Sequence, residues 1–133
     1  MRGVFVAGGG IDTSAAEAAA NVGGKLIGVD VDQSANINTY GEGMCVTSAM
    51  KGLAETVKHM LSEVVAGNFA NYGGKIETLG LVNGDDPTAN YVQIPMATTQ
   101  LGDGFTQDHP KPPVKALYHG AVTAPHDTSD HPT

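Results

Sequence analysis

The chain has little of several residue types, and each shortage excludes a class of protein. Its 133 residues include one cysteine and no tryptophan. A single cysteine, Cys45, excludes an internal disulfide and any zinc site built from several cysteines. No apolar run approaches the ~20 residues that a membrane-spanning helix needs, and the start of the chain lacks the apolar region of a signal peptide. We therefore expect a chain that carries no export signal or membrane anchor of its own.

Positive charge is also scarce. Seven Lys and Arg residues stand against 14 Asp and Glu residues, which gives a formal net charge of −7. Nucleic-acid binding draws on clustered Lys and Arg, so we expect no nucleic-acid partner. The five histidines lack the spacing of metal-ligating pairs, and no Ser/His/Asp or Cys/His set is recognisable. The sequence thus predicts a binding protein without catalysis, metal or cofactor.

Glycine and small apolar residues are plentiful instead. The chain has 18 glycines, nearly twice the usual share of about 7%. Together with few aromatics, this favours an α/β fold with many tight turns over a β-sandwich. We predict that residues 1–107 form a partial α/β ligand-binding lobe, with an open, mostly parallel sheet and flanking helices. Residues 108–133, which hold most of the histidines and several prolines, are predicted to be a weakly ordered tail.

Two apolar strands are predicted to end in polar or glycine-rich segments. The first, Val4–Ala7, runs into Gly8, Gly9 and Gly10, which allow backbone to approach a ligand closely or simply make a tight turn. The second begins at Lys25 and ends in two carboxylates and an amide: Asp30, Asp32 and Gln33. In open α/β sheets the carboxyl ends of the strands carry the ligand. Their juxtaposition predicts a site for a hydroxyl-rich molecule, such as a sugar or nucleoside.

Asp30 is the principal candidate residue. A carboxylate at a strand end can accept charge-assisted hydrogen bonds from two neighbouring hydroxyls. Asp32 points to the same side but lies farther out. For both carboxylates the alternative role is to cap backbone N–H groups of the following loop.

Lys51 is the second candidate. Residues 34–43 are predicted to form a loop, Met44–Thr47 a short strand, and Ser48 the N-cap of a long helix. Lys51 then lies in the first helical turn, where a cation opposes the helix dipole. Such a placement favours another purpose, namely pairing with Asp30 or donating to the same hydroxyls, although a plain exposed lysine is the alternative.

The long helix has one apolar stripe with the i, i+4, i+7, i+8 spacing of a buried face. Its members are Leu53, Val57, Met60, Leu61, Val64 and Val65. Further along the chain, Lys75–Val82 is predicted to be a strand near the sheet edge and Tyr91–Pro95 a short strand or extended segment. Val114–Tyr118 is predicted to make one helical turn, and residues 120–133 to be disordered.

These segments together resemble a known family. The stretches are Val4-Phe-Val-Ala-Gly-Gly-Gly10, Leu26-Ile-Gly-Val-Asp-Val-Asp-Gln33 and Val46-Thr-Ser-Ala-Met-Lys51. Over roughly residues 3–107 the chain is similar to the basic membrane protein family, the purine-nucleoside-receptor type of substrate-binding lipoproteins that serve ABC transporters.

The resemblance implies part of one lobe of a type I periplasmic binding protein. In that family an Asp and a Lys at these motif positions contact the ribose, which implies the same role for Asp30 and Lys51. It also implies an extracytoplasmic, membrane-anchored lipoprotein that works with an ABC permease. Family members are more than twice as long, so the second lobe is expected from elsewhere, either a missing lobe or a second copy of the chain.

Two other interpretations compete with this one. A strand, glycines, a helix and an acidic strand end also describe a Rossmann-like dinucleotide-binding domain of an oxidoreductase. Against it, Thr13 stands where the third glycine of G-x-G-x-x-G belongs, and Asp12 would repel a pyrophosphate. The other alternative is an oligomerising interaction module without a small ligand, because an incomplete lobe exposes sheet edge and apolar surface.

Overall fold

The computed structural model describes residues 3–104, 106, 108 and 111–124. Within these residues the strands and α-helices are, in chain order, β1 (Gly3–Phe5), α1 (Asp12–Ala20), β2 (Lys25–Asp30), α2 (Ser34–Ile37), β3 (Cys45–Lys51), α3 (Leu53–Val65), β4 (Val92–Gln93) and α4 (Lys111–Tyr118). Short 3₁₀ helices occupy Gly9–Ile11, Phe69–Asn71 and Pro87–Ala89. None of the helices in this part of the chain is long and apolar enough to cross a membrane.

The strands form one sheet in the order β1-β2-β3-β4. β1, β2 and β3 run parallel, and β4 pairs antiparallel with the carboxyl end of β3. A mixed, mostly parallel sheet with flanking helices confirms the predicted α/β class. The parallel register aligns Phe5 with Ile27 and Val29 with Ala49, so these side chains share one face of the sheet.

The opposite face carries the core. Leu26 is fully buried beside Cys45, and α1 and α2 cover this face with the small and branched side chains of Ala16, Ala19 and Ile37. Cys45 is thus a small core residue with a free, buried thiol. Burial raises the pKa of its thiol, which keeps it protonated at neutral pH.

The start of the long helix differs from the prediction. Ser48 caps no helix, because β3 continues through it to Lys51 and pairs with β2 along this length. Pairing with a neighbouring strand overrides the local capping signal, and it buries Ser48 completely. The helix begins at Leu53, after Gly52. A Cβ at Gly52 would lie 2.5 Å from the carbonyl oxygen of Asn90, so glycine is required where the two segments cross.

The predicted burial of the α3 stripe is also wrong within the described residues. Val57 and Leu61 are 57% and 60% exposed, and no residue of α3 is buried. The half-buried positions are mainly polar ones on the other side of the helix, among them Glu55, His59 and Glu63. The chief neighbouring element of α3 is the 3₁₀ helix Phe69–Asn71 rather than the sheet. The stripe is apolar, but no described layer covers it.

The segment Lys75–Val82 is not a strand, and Ile76 is 99% exposed. Its end is instead held by the buried side chain of Asn90, whose Oδ1 accepts hydrogen bonds from the backbone N–H groups of Val82 and Asn83. Together with a backbone bond from the Tyr91 N–H to the Gly80 carbonyl at 3.1 Å, these side-chain bonds take the place of a strand ladder. The short strand predicted within Tyr91–Pro95 is confirmed as β4.

Two remaining segments are more helical than predicted. The loop predicted at residues 34–43 contains α2, and the single turn predicted at Val114–Tyr118 is part of the longer α4. Pro112 and Pro113 fit into the first turn of α4 because the missing N–H groups have no intrahelical partner there. Of the predicted disordered tail, residues 125–133 lie outside the described part of the chain.

We predict that Gly28→Ala destabilises the fold. A Cβ at Gly28 would lie 2.7 Å from both Gln33 Oε1 and Ser48 Oγ. The backbone would therefore have to move at the point where β2, β3 and the residue before α2 meet. Overpacking of this kind costs about 1–3 kcal/mol of unfolding free energy, which urea denaturation would measure. Gly102→Ala is the matched control, because a Cβ there meets nothing within 4 Å; equal losses for the two variants would contradict the prediction.

Candidate functional site

The carboxyl end of β2 closes in an unusual turn centred on Asp30. The N–H of Val31 donates to the carbonyl of Val29 at 2.8 Å, which spans three residues and defines a γ-turn. Asp30 has a φ of 69°, and it is the one non-glycine residue with positive φ in the described part of the chain. This form of the γ-turn is rare and strained. Backbone strain of this kind concentrates at functional sites.

Lys51 lies beside this turn because β3 extends farther than its sequence indicated. Asp30 is in register with Met50, which places Lys51 one residue beyond it at the same sheet edge. The Lys51 Nζ is 2.7 Å from Asp30 Oδ1, so the predicted convergence of the two groups is confirmed. Their side chains are 68% and 50% exposed, respectively. An ion pair this open contributes only about 0–1 kcal/mol to stability.

The pair borders an open cleft of about 390 Å³ at the carboxyl edge of the sheet. Gly8 and Gly9, which follow β1, line the cleft next to Asp30 and Lys51. Gly9 has a φ of 45°, a conformation that favours glycine. The remaining lining is apolar: Phe5, Ala7, Val29 and Ala49. The structure thus brings together four of the predicted site residues, from three consecutive strands.

Gly10, Asp32 and Gln33 do not line this cleft. Gly10 lies inside the 3₁₀ helix that leads into α1. Asp32 is engaged in holding loops: its Oδ1 accepts from the Ser34 N–H at 3.0 Å, and its Oδ2 accepts from the Thr98 hydroxyl at 2.7 Å. It therefore has the capping role that was the alternative for both carboxylates.

The side chain of Gln33 does not face the cleft, and it instead binds β2 and the start of α1 next to it. Its Oε1 accepts from the Val29 N–H at 2.9 Å, and its Nε2 donates to Asp12 Oδ2 at 3.1 Å. The backbone N–H of Gln33 also donates to Ser48 Oγ. Both ends of the amide are occupied by the protein.

Sequence reasoning missed the supporting roles of Asp12 and Ser48. Asp12 is buried in the first turn of α1, where its carboxylate also accepts from Asn36 Nδ2 at 3.0 Å. No side-chain oxygen caps the start of α1 by a hydrogen bond to its backbone. The sequence held one sign of this network, namely Gly28. A glycine inside a buried strand often marks the close approach of another group, and here Gln33 and Ser48 approach it.

The cleft presents a carboxylate, an ammonium group and an apolar floor. Asp30 can accept hydrogen bonds from a ligand, and Lys51 has donors beyond the one that it directs to Asp30. Such a set fits neighbouring hydroxyl groups on a compact carbon skeleton. Among the described residues, no group of three or more His, Cys, Asp and Glu side chains is arranged to hold a metal ion.

Comparison of the chain with protein-family models, with curated proteins and with solved structures finds no match. The interpretation of the cleft therefore depends on its own chemistry and on the motifs in the sequence.

We predict that Asp32 stabilises the folded chain in a pH-dependent way. Partial burial raises the pKa of its carboxyl, but hydrogen bonds from the Ser34 N–H and the Thr98 and Ser34 hydroxyls outweigh it and lower the pKa below the usual value. A carboxyl with a depressed folded-state pKa contributes stability above its unfolded-state pKa of ~3.9, and the contribution is lost as the pH falls through the folded-state value.

Asp32→Asn should accordingly lower the melting temperature at pH 7 and flatten the loss of stability below about pH 4. Thermal unfolding followed by circular dichroism between pH 7 and pH 2 measures both effects. Asp103→Asn, on an exposed loop, serves as the control. Parallel stability curves for the parent and Asp32→Asn would disprove the assignment.

Proposed function

We propose that this chain binds a hydroxyl-rich small molecule of the nucleoside or sugar type, without catalysis, through Asp30 and Lys51. The observation that carries the proposal is the strained γ-turn that presents Asp30 to Lys51 at the rim of an open cleft.

The free-energy cost of the γ-turn at Asp30 indicates that the turn does not serve to stabilise the fold. A residue held in a sparsely populated backbone conformation costs about 1–3 kcal/mol, although Asp tolerates positive φ better than most residues. The exposed ion pair returns at most about 1 kcal/mol. The strain of the γ-turn therefore costs more free energy than the Asp30–Lys51 ion pair returns. A turn that lowers the stability of the fold is best explained by the side chain that it presents to a ligand.

The proposed mode of binding follows from the donors and acceptors. Two neighbouring hydroxyls of the ligand donate to the Asp30 carboxylate, and Lys51 donates to one of the same oxygens. The carbon skeleton packs on Phe5 and Val29, and the Gly8–Gly9 backbone has no side chain to block its approach. The ligand contacts one side of the sheet only, so a second wall would add affinity by excluding water.

The motif resemblance extends this proposal. Under it, the chain forms part of one lobe of a type I periplasmic binding protein, and the second lobe or a second copy completes the site. The protein would then be an extracytoplasmic lipoprotein that delivers its ligand to an ABC permease. The α/β fold and the position of Asp30 and Lys51 are compatible with that assignment.

The dinucleotide-binding alternative has less support. In that fold a pyrophosphate lies at the start of the first helix, where this chain has the buried carboxylate of Asp12. Negative charge at this point would repel the phosphates.

Calorimetric titration with inosine, adenosine, ribose and NAD tests the proposal. The parent should bind at least one of the first three, and Asp30→Ala and Lys51→Met should each weaken that binding at least ~10-fold, equivalent to about 1.4 kcal/mol. Asp85→Ala is the matched control, because Asp85 forms another exposed ion pair with Lys115 away from the cleft. Failure of all three ligands to bind, or equal affinity in all variants, would reject the proposal. Binding of NAD alone would favour the dinucleotide alternative.

Asp30→Gly separates a functional from a structural role. Glycine adopts positive φ without strain, so the variant should unfold at the same or a higher urea concentration than the parent while losing ligand binding. The unfolding midpoint and the calorimetric affinity are measured on the same preparation. A large loss of stability would show that the Asp30 side chain serves the fold.

A further inference from the structure

The γ-turn at Asp30 is bonded to a side chain that lies outside the cleft. Val29, the residue before Asp30, makes two hydrogen bonds: its carbonyl accepts from the Val31 N–H at 2.8 Å, and its N–H donates to Gln33 Oε1 at 2.9 Å. The first bond closes the turn, and the second joins the start of the turn to a residue that follows its end. The Gln33 side chain therefore connects the two sides of the turn.

The neighbouring strand does not provide this bond. The Ile27 carbonyl accepts from the Val6 N–H, so Ile27 and Val29, two residues apart in β2, direct their backbone groups towards β1. β1 ends at Phe5, and the chain then runs into the glycines that line the cleft. The Val29 N–H thus lies beyond the last strand pair, and Gln33 Oε1 takes the place of a strand carbonyl.

The orientation of the Gln33 amide is fixed by its other contacts. Its Nε2 donates to the buried carboxylate of Asp12 at 3.1 Å, and its backbone N–H donates to the fully buried Ser48 at 3.1 Å. Asp12 also accepts from the Asn36 amide at 3.0 Å. Because a carboxylate only accepts hydrogen bonds, the amide nitrogen must face Asp12 and the amide oxygen must face Val29.

We infer that Gln33 is a positioning residue for ligand binding: it holds the backbone of Asp30 at its positive φ, and it thereby keeps the Asp30 carboxylate next to Lys51. The inference rests on the proposed function, because it concerns the same site. The sequence predicted that Gln33 contacts the ligand, but both ends of its amide are bonded to the protein. Gly28 leaves the room for this arrangement, since a Cβ there would lie 2.7 Å from Gln33 Oε1.

Nuclear magnetic resonance of the full chain without ligand tests the positioning. At positive φ the amide and α protons of one residue lie close together, so Asp30 should show a strong nuclear Overhauser effect between them in the parent. Gln33→Met removes the amide at similar side-chain length. In this variant the Asp30 effect should weaken, and the Val29 amide should exchange with solvent at least ~10-fold faster.

Gln100→Met is the matched control for this measurement. The Gln100 side chain also bonds to two backbone carbonyls, those of Gly43 and Cys45 near the opposite end of β3. Its loss should leave the Asp30 signal and the Val29 exchange rate as they are in the parent.

Calorimetry tests the consequence for binding. Whichever of inosine, adenosine and ribose the parent binds should bind about 5-fold more weakly to Gln33→Met and to Gln33→Glu, a loss of about 1 kcal/mol. Gln33→Glu brings a second carboxylate next to Asp12, and adding Asp12→Asn exchanges the amide and the carboxylate between the two positions. The double variant should therefore recover affinity to within about 2-fold of the parent, because the two substitutions compensate each other. A residue that contacted the ligand itself would not regain its role through this exchange.

Two results would overturn the inference: a folded Gln33→Met chain with the Asp30 signal and the slow Val29 exchange of the parent, or a double variant that binds as weakly as Gln33→Glu. If the parent binds none of the three ligands, the proposed function fails, and the resonance measurement by itself supports or overturns the positioning of Asp30 by Gln33. Gln33→Asn, whose side chain is one methylene shorter, replaces Gln33→Met if circular dichroism shows that variant to be unfolded.

Discussion

The side chain of Gln33 connects the parts of the structure on which the cleft depends. It fills the space above Gly28, bonds to the backbone of β2, and reaches the buried carboxylate of Asp12 at the start of α1. Its backbone N–H binds Ser48 in β3. Since Gln33 lies three residues after Asp30 and binds the backbone of Val29 before it, these bonds hold both sides of Asp30. Loss of this network would free the turn, and with it the geometry of the Asp30–Lys51 pair.

The different roles of the Asp12, Asp30 and Asp32 carboxylates follow from their surroundings. Asp12 is buried and has two amide donors, while Asp32 is occupied by a backbone N–H and a hydroxyl. Both are committed to the protein. Asp30 is left at the open rim with the exposed ammonium group of Lys51 as partner, which a ligand can share at little energetic cost. Of the three, only Asp30 combines exposure, backbone strain and an adjacent cleft.

The layering of the described residues places the cleft on the less covered side of the sheet. One face of the sheet is covered by α1 and α2, and the other carries the half-buried Val29 and Ala49 and the exposed Phe5, which line the cleft. A ligand bound there would be held from one side, and a helix stripe that lacks a sheet lies exposed on the same chain.

Local patterns in the sequence were sufficient for the presence of β1, β2, α3 and the short strand near Tyr91, though not for the start of α3, because apolar periodicity and glycines between elements are properties of neighbouring residues. They also singled out Asp30 as a candidate site residue and expected Lys51 to pair with it, although they assigned Lys51 to a helix. The tertiary structure alone decided the rest: that β3 extends through Ser48, that Lys75–Val82 is held by Asn90 instead of a ladder, and that the α3 stripe stays exposed. Strand pairing and burial depend on which distant segments of the chain lie next to a strand or helix. The spacing of apolar residues shows that a helix face can be buried, but it does not show that another layer covers that face.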